Sequence, residues 1–296
     1  MWGASKLIVL VPLALLCAGF IVLWLSALRA QGGASGRVRP SLGEIAIGVV
    51  TDFFDTLGIG SFATTTSLFR ASALVPDRLL PGTLNVGHTL PTIAQAFIYV
   101  AVIEVDVRTL LLMIASAVLG AVLGAGVVSR WPERNVQLGM GAALLAAAAL
   151  MLLRAPEFSV LPPGGDAKAL SGWLLVLGMG GNFVLGALMT IGIGLYAPCM
   201  ILVSMLGMSP KLAFPIMMGS CAFLMPPAAA RFIRNDAYAP RAALGLSLGG
   251  VPAVLVAAYV VKELPLQAVR WLVLVIVIYT AVSLLRAALG RANALG

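Results

Sequence analysis

The chain has 296 residues, of which 61% are hydrophobic and 10% charged, with a mean hydropathy of +1.05. A soluble globular chain carries about 25% charged residues, so this one lacks the polar side chains to cover a water-facing surface, and a cytosolic enzyme is excluded. The net charge of +8 comes from basic residues set singly between apolar runs, without a basic stripe or interleaved aromatics. It reads as loop charge that sets membrane topology, not as a nucleic-acid surface.

Runs free of Asp, Glu, Lys and Arg cover Leu7–Leu28, Leu79–Ile103, Thr109–Ser129, Asn135–Leu153, Ala169–Pro210, Leu212–Ala230 and Ala242–Val261. Each is about 19 residues or longer, enough for a membrane helix, and the expected fold is an all-α, polytopic transmembrane bundle. Met1–Arg29 begins with Lys6 and stays apolar to Leu28. That is too long for a typical signal-peptide core, and no A-x-A site follows, so it is expected to remain as an N-terminal helix. The basic, glycine-rich stretch Arg29–Arg39 then reads as a flexible loop on the cytoplasmic side. This orientation places the N-terminus outside and the C-terminus in the cytoplasm of a multi-pass protein of the bacterial inner membrane.

The rest of the chain repeats itself. Thr56-Leu-Gly-Ile-Gly-Ser-Phe-Ala63 recurs as Thr190-Ile-Gly-Ile-Gly-Leu-Tyr-Ala197, with five identities in eight positions. Gly87 then pairs with Gly219, Arg108 with Arg241, Pro132 with Pro265, and Leu152-Leu-Arg154 with Leu284-Leu-Arg286. The domains expected are 1–40, the first helix and its basic loop; 41–154, repeat 1; 155–168, a connecting loop; and 169–289, repeat 2. Each repeat opens with an odd element and continues with three simple spans, near 79–103, 107–129 and 133–153, and near 211–233, 240–262 and 265–288.

The odd elements are Leu42–Phe69, 28 residues, and Ala169–Pro210, 42 residues. As helix these would be about 42 Å and about 63 Å long, against a hydrocarbon core of about 30 Å. A helix that enters, breaks at Gly-Ile-Gly and returns fits both lengths and makes the repeats inverted; the distribution of Lys and Arg slightly favours it. Trp24, Trp131, Trp173 and Trp271 fall near predicted span ends, as interfacial anchors do.

Broken helices at corresponding places in two repeats point to a binding site. After each break the first N–H groups of the next half-helix lack partners and carry partial positive charge, which suits an anion. Gly58, Gly60, Gly192 and Gly194 are therefore candidate substrate-binding residues, with the hydroxyls of Ser61 and Thr64 and the Tyr196 ring beside them; the alternative is that the glycines only allow close packing. Pro198 suits a first helical position, where its missing N–H is tolerated. Asp52 and Asp55 lie one turn apart just before the first break. Carboxylates in a membrane segment are functional candidates, and these two are read as proton-coupling residues that would repel a bound anion unless protonated. Pairing with Arg70 or Arg78 is the structural alternative. Asn85 and His88, the only histidine, open the next span opposite Ser220 in the second repeat and complete the candidate set. Gly120/Gly124 and Gly245/Gly249 read as helix-packing pairs. Cys17, Cys199 and Cys221 are dispersed in apolar segments and give neither a disulfide framework nor a zinc spacing. No catalytic constellation, metal or cofactor is expected.

The duplicated Gly-x-Gly segment with Pro198, the Gly87-His-Thr and Gly219-Ser-Cys segments and the Pro-led last span of each half resemble the TauE/SafE sulfite exporter family, also described as the sulfonate uptake permease family. The likeness covers roughly 42–289. It departs where the family commonly has a triple glycine and a proline, since Ser61-Phe-Ala-Thr-Thr-Thr66 stands there. The resemblance implies transport of sulfite or organosulfonates. Moving a divalent anion outward down an inside-negative potential gains about 4.6 kcal/mol per 100 mV, which puts export ahead of proton-coupled uptake. The partners expected are a small anionic substrate and the lipid bilayer, with a homodimer left open and no nucleic acid. A non-transporting accessory protein of packed helices, or a passive anion channel, are the other classes.

Overall fold

A computed structural model of the chain describes residues 2–31, 38–58, 60–128, 165–189 and 195–260, with scattered residues within 134–153 and 271–289. Among the described residues the fold is all-helical, with one isolated bridge between Ala167 and Met208. The continuous helices are α1 (Trp2–Gln31), α2 (Leu42–Thr56), α3 (Ser61–Ala71), α4 (Leu80–Gly87), α5 (Thr89–Val102), α6 (Val107–Val128), α7 (Gly172–Met189), α8 (Tyr196–Met205), α9 (Ala213–Arg234) and α10 (Pro240–Val260). Four stretches, Lys6–Ala30, Gly172–Met189, Ala213–Arg234 and Pro240–Tyr259, are long and apolar enough to cross a membrane. The expected 133–153 and 265–288 spans fall largely outside the described residues.

The order of elements recurs. An interrupted pair, α2 and α3 or α7 and α8, leads to a single 3-10 turn, Asp77–Leu79 or Pro210–Leu212, and then to the remaining helices. The two turns begin 133 residues apart (210 − 77), as do α6 and α10 (240 − 107).

Polarity is distributed inside out. Leu15, Val22, Leu119, Leu123, Trp173 and Val256 are among the large apolar side chains facing outward, while Asp52, Asp55, His88, Gln95, Asn182 and Ser220 are buried. That is the arrangement an apolar solvent selects. Trp24, near the end of α1, is covered by protein. It is 3% exposed, stacked on Phe20 with ring centroids 5.6 Å apart, and shares a cluster with Val86, Ala229 and Ile233. Because α1 lies against α9, the indole fills the groove between them, whereas Trp173 stays 69% exposed.

The first expected simple span is also not simple, because 79–103 divides into α4 and α5 at His88. Pro91 is the cause. It has no N–H for the carbonyl of Gly87 four residues back, and that carbonyl instead accepts a hydrogen bond from Ser247 Oγ at 2.6 Å.

The two halves of the chain are held together crosswise, since α2 packs most closely on α10 and α7 on α6. Glycines set both crossings. A β-carbon on Gly120 would lie 1.9 Å from the Phe183 carbonyl oxygen, and one on Gly186 would lie 2.0 Å from that of Ala117. On the other crossing, β-carbons on Gly48 and Gly249 would come within 2.6 Å of Leu246 O and 2.2 Å of Ile45 O. The start of α2 is fixed by a capping box in which Ser41 Oγ accepts from Glu44 N and Glu44 Oε2 accepts from Ser41 N. Arg241 of α10 donates to the same carboxylate at 3.1 Å.

Overpacking a tight contact costs about 1–3 kcal/mol. Gly120→Leu and Gly186→Leu should therefore lower the thermal unfolding temperature in detergent. Gly180→Ala, where nothing lies within 4 Å of the added carbon, should not.

Candidate functional site

α2 ends at Thr56, after which Leu57 N and Gly58 N turn back to Phe54 O and Asp55 O at 3.0 and 2.8 Å. Gly58 and Gly60 have φ of 91° and 87°, a conformation side chains with a β-carbon rarely adopt. The chain then restarts as α3 at Ser61, whose N-terminus has no side-chain cap. The second break, Gly192 and Gly194 included, lies outside the described residues. The helix after it, α8, begins at Tyr196, also without a side-chain cap. Pro198 is thus the third helical residue rather than the first, still within the turn whose N–H groups need no intrahelical partner.

Between these two helix starts lies a small cavity, about large enough for one water molecule, lined by Asp55, Gly60, Ser61, Thr92, Tyr196 and Cys221 among others. Asp55 Oδ2 accepts from Gln95 Nε2 at 2.9 Å, and the same amide nitrogen donates to Thr56 Oγ1 at 3.1 Å. Tyr196 donates from its hydroxyl to Gln95 Oε1 at 2.6 Å. A continuous buried chain therefore runs from the end of α2 through α5 to the start of α8. Tyr99 closes it on the other side by donating to the Thr56 carbonyl at 2.7 Å.

Asp52 occupies a neighbouring chamber. Its Oδ1 lies 2.8 Å from His88 Nδ1, and His88 Nε2 lies 2.9 Å from Thr65 Oγ1. Asp52 Oδ2 has no hydrogen-bond partner and faces Gly250, where a β-carbon would come within 2.1 Å of it. The partners of the two carboxylates are thus His88 and Gln95, not Arg70 or Arg78.

The structure brings Asp55, Gly60, Ser61 and Tyr196 together at the cavity and holds Asp52 beside them. The other candidates are spent elsewhere. Thr64 donates to Ser61 O at 2.8 Å, and Asn85 Nδ2 donates to Pro81 O at 2.8 Å. His88 faces Asp52, and Ser220 Oγ accepts from Asn182 Nδ2 at 3.1 Å. Gln95, Thr92 and Asn182 are absent from the sequence-based candidate set, and Cys221 stands in the sequence only as one of three dispersed cysteines. An uncharged polar residue in the middle of an apolar run, such as Gln95 or Asn182, was the available signal.

Interrupted helices, an apolar exterior and a buried polar centre define a multi-pass membrane protein with the architecture of a transporter. The family described as sulfite exporter TauE/SafE matches residues 45–284, and the chain belongs to that family. Membership makes it a membrane transporter of sulfur anions. No match is found among curated proteins or among solved structures.

Removing one partner of a buried ion pair costs about 3–5 kcal/mol because the other is left uncompensated. In a double-mutant cycle on thermal stability, His88→Ala and Asp52→Ala should each destabilise, and the double variant should lose less than the sum by more than about 1 kcal/mol. An additive result would mean the pair does not act as a unit.

Proposed function

We propose that the protein carries sulfite or a related small sulfur oxyanion across the bacterial inner membrane, with export as its direction. The observation that carries this reading is the meeting of two uncapped helix starts, α3 and α8, at one cavity. Unpaired backbone N–H groups at a helix start attract an anion and need no cationic side chain to do so. In this reading Gly60, Ser61 and Tyr196 hold the anion, Gly58, Gly192 and Gly194 let the chain break, and Asp52 and Asp55 handle protons. Thr64, Asn85, His88 and Ser220 support the walls.

The same reading takes 41–154 and 169–289 as two inverted repeats built on returning hairpins, with 1–40 as an added helix and loop and 155–168 as the connection. The crosswise packing of α2 on α10 and α7 on α6 supports it, because a two-fold relation exchanges those two pairs. The proposed orientation keeps the N-terminus outside.

Proton-coupled uptake of an organosulfonate is the second reading, favoured by Asp55 on the cavity wall. Reconstitution in proteoliposomes, with voltage and pH gradient imposed separately, tells them apart. Export predicts sulfite flux that follows voltage and needs no imposed pH gradient; flux that is also indifferent to Asp52→Asn and Asp55→Asn would remove the proton role of the two carboxylates. Flux driven by the pH gradient and lost in the variants would make uptake the function instead. No flux of any sulfur anion would remove the transport site from this cavity.

A further inference from the structure

Gln95 is fully buried and hydrogen-bonds both Asp55, at the end of α2, and Tyr196, at the start of α8. Its amide has a fixed polarity, with NH2 as donor and C=O as acceptor. An ionised Asp55 only accepts, so the NH2 faces it, and the C=O is left to take the Tyr196 hydroxyl. Ser61 also hydrogen-bonds Asp55 and Thr92 hydrogen-bonds Tyr196, and the Tyr196 O–H points at Gln95 rather than into the cavity it lines.

Placing a proton on Asp55 Oδ2 puts two donors face to face. The arrangement that satisfies both groups is the flipped amide, in which Gln95 C=O accepts from the new Asp55 O–H and its NH2 donates to the Tyr196 oxygen. The Tyr196 hydrogen then has no acceptor on Gln95 and turns to the cavity. The proton comes from solvent, no covalent bond within the protein is made or broken, and Thr56 Oγ1, which donates to Asp52 O at 2.7 Å in the first state, turns its hydrogen to the amide oxygen that now stands where Nε2 stood.

We propose that Gln95 is a positioning residue that converts protonation of Asp55 into a hydrogen bond from Tyr196 to the bound anion. The inference rests on the anion-carrier reading above. One proton thereby removes the repelling charge from the wall and supplies a donor, so anion affinity rises as pH falls. The titratable groups near Asp55 are Asp52 on the same helix, His88 between α4 and α5, Tyr99 on α5, Tyr196 on α8 and Cys221 on α9. α3 faces the cavity with uncharged Ser61 and Phe62, and α10 packs Gly250 against Asp52.

The test is the apparent affinity for sulfite in proteoliposome flux, compared between variant and wild type at each pH so that the titration of sulfite itself cancels. Tyr196→Phe should weaken affinity about tenfold at the acidic end, equivalent to roughly 1.4 kcal/mol, and under about twofold at the alkaline end. Gln95→Met, close in volume but without donor or acceptor, should flatten the pH dependence. Asp55→Asn should remove it. Equal losses at every pH, or none at any, would overturn the role of Gln95 while leaving the carrier intact. Absence of sulfite flux in the wild type would overturn the carrier reading itself. Thermal unfolding of each variant identifies a merely misfolded protein, and Tyr196→Phe, which removes one oxygen, then decides the matter.

Discussion

A helix that stops within an apolar bundle leaves backbone groups that neither water nor lipid can satisfy, and this constraint organises the structure. The acceptors are met one by one. Tyr99 takes the Thr56 carbonyl, and Ser247 takes the Gly87 carbonyl released by Pro91. The donors at the starts of α3 and α8 have no side-chain cap. The first interruption thus satisfies its C-terminal side with protein, and the starts of α3 and α8 stand uncapped beside a common cavity. An arrangement meant only for packing would have no reason to treat the two ends differently.

The two halves share a plan but not a chemistry. At the offset of the Gly-Ile-Gly segments (190 − 56), Asp52 corresponds to Gly186. Both sit at the matching place in their crossings, Asp52 against Gly250 and Gly186 against Ala117. Where the first half joins its opening element to the next helix by Asp52 and His88, the second does so by Asn182 and Ser220. The second pair spans the same gap without a charge. Among the described residues the buried carboxylates and the histidine at the centre belong to the first half, with Tyr196 and Cys221 contributed by the second.

The scaffold was legible because membrane helices are written in long apolar runs and glycine breaks. The expected 107–129, 211–233 and 240–262 spans reappear as α6, α9 and α10 within a few residues, and the break at Gly58 and Gly60 lies where the repeat put it. The division at His88 was not anticipated, because a proline near a helix start is ordinary and its effect depends on whether a distant hydroxyl, here Ser247, takes the freed carbonyl. The candidate site was legible in its charged members and less so in its neutral ones. Asp52 and Asp55 stand out in an apolar segment, but Gln95 joins residues 40 positions behind it and 101 ahead, and no local spacing encodes such a contact. Thr64 and Asn85 were chosen as available donors and proved to be satisfying their own helices, the usual competitor for short polar side chains.

The charge balance of the proposed site follows from these placements. Each helix start contributes roughly half a positive charge, and the effect falls off within a turn. Two starts at one cavity therefore offset about one negative charge, which is what an ionised Asp55 places on the same wall. In that state the cavity is close to neutral and has little electrostatic hold on an anion. With Asp55 protonated, the helix starts are unopposed in a surrounding of low dielectric, where an opposite charge a few ångströms away counts for several kcal/mol more than in water. A lysine or arginine in place of this arrangement would bind the anion in every state and make release slow. Backbone dipoles set against a single carboxylate instead let one proton decide between holding and letting go.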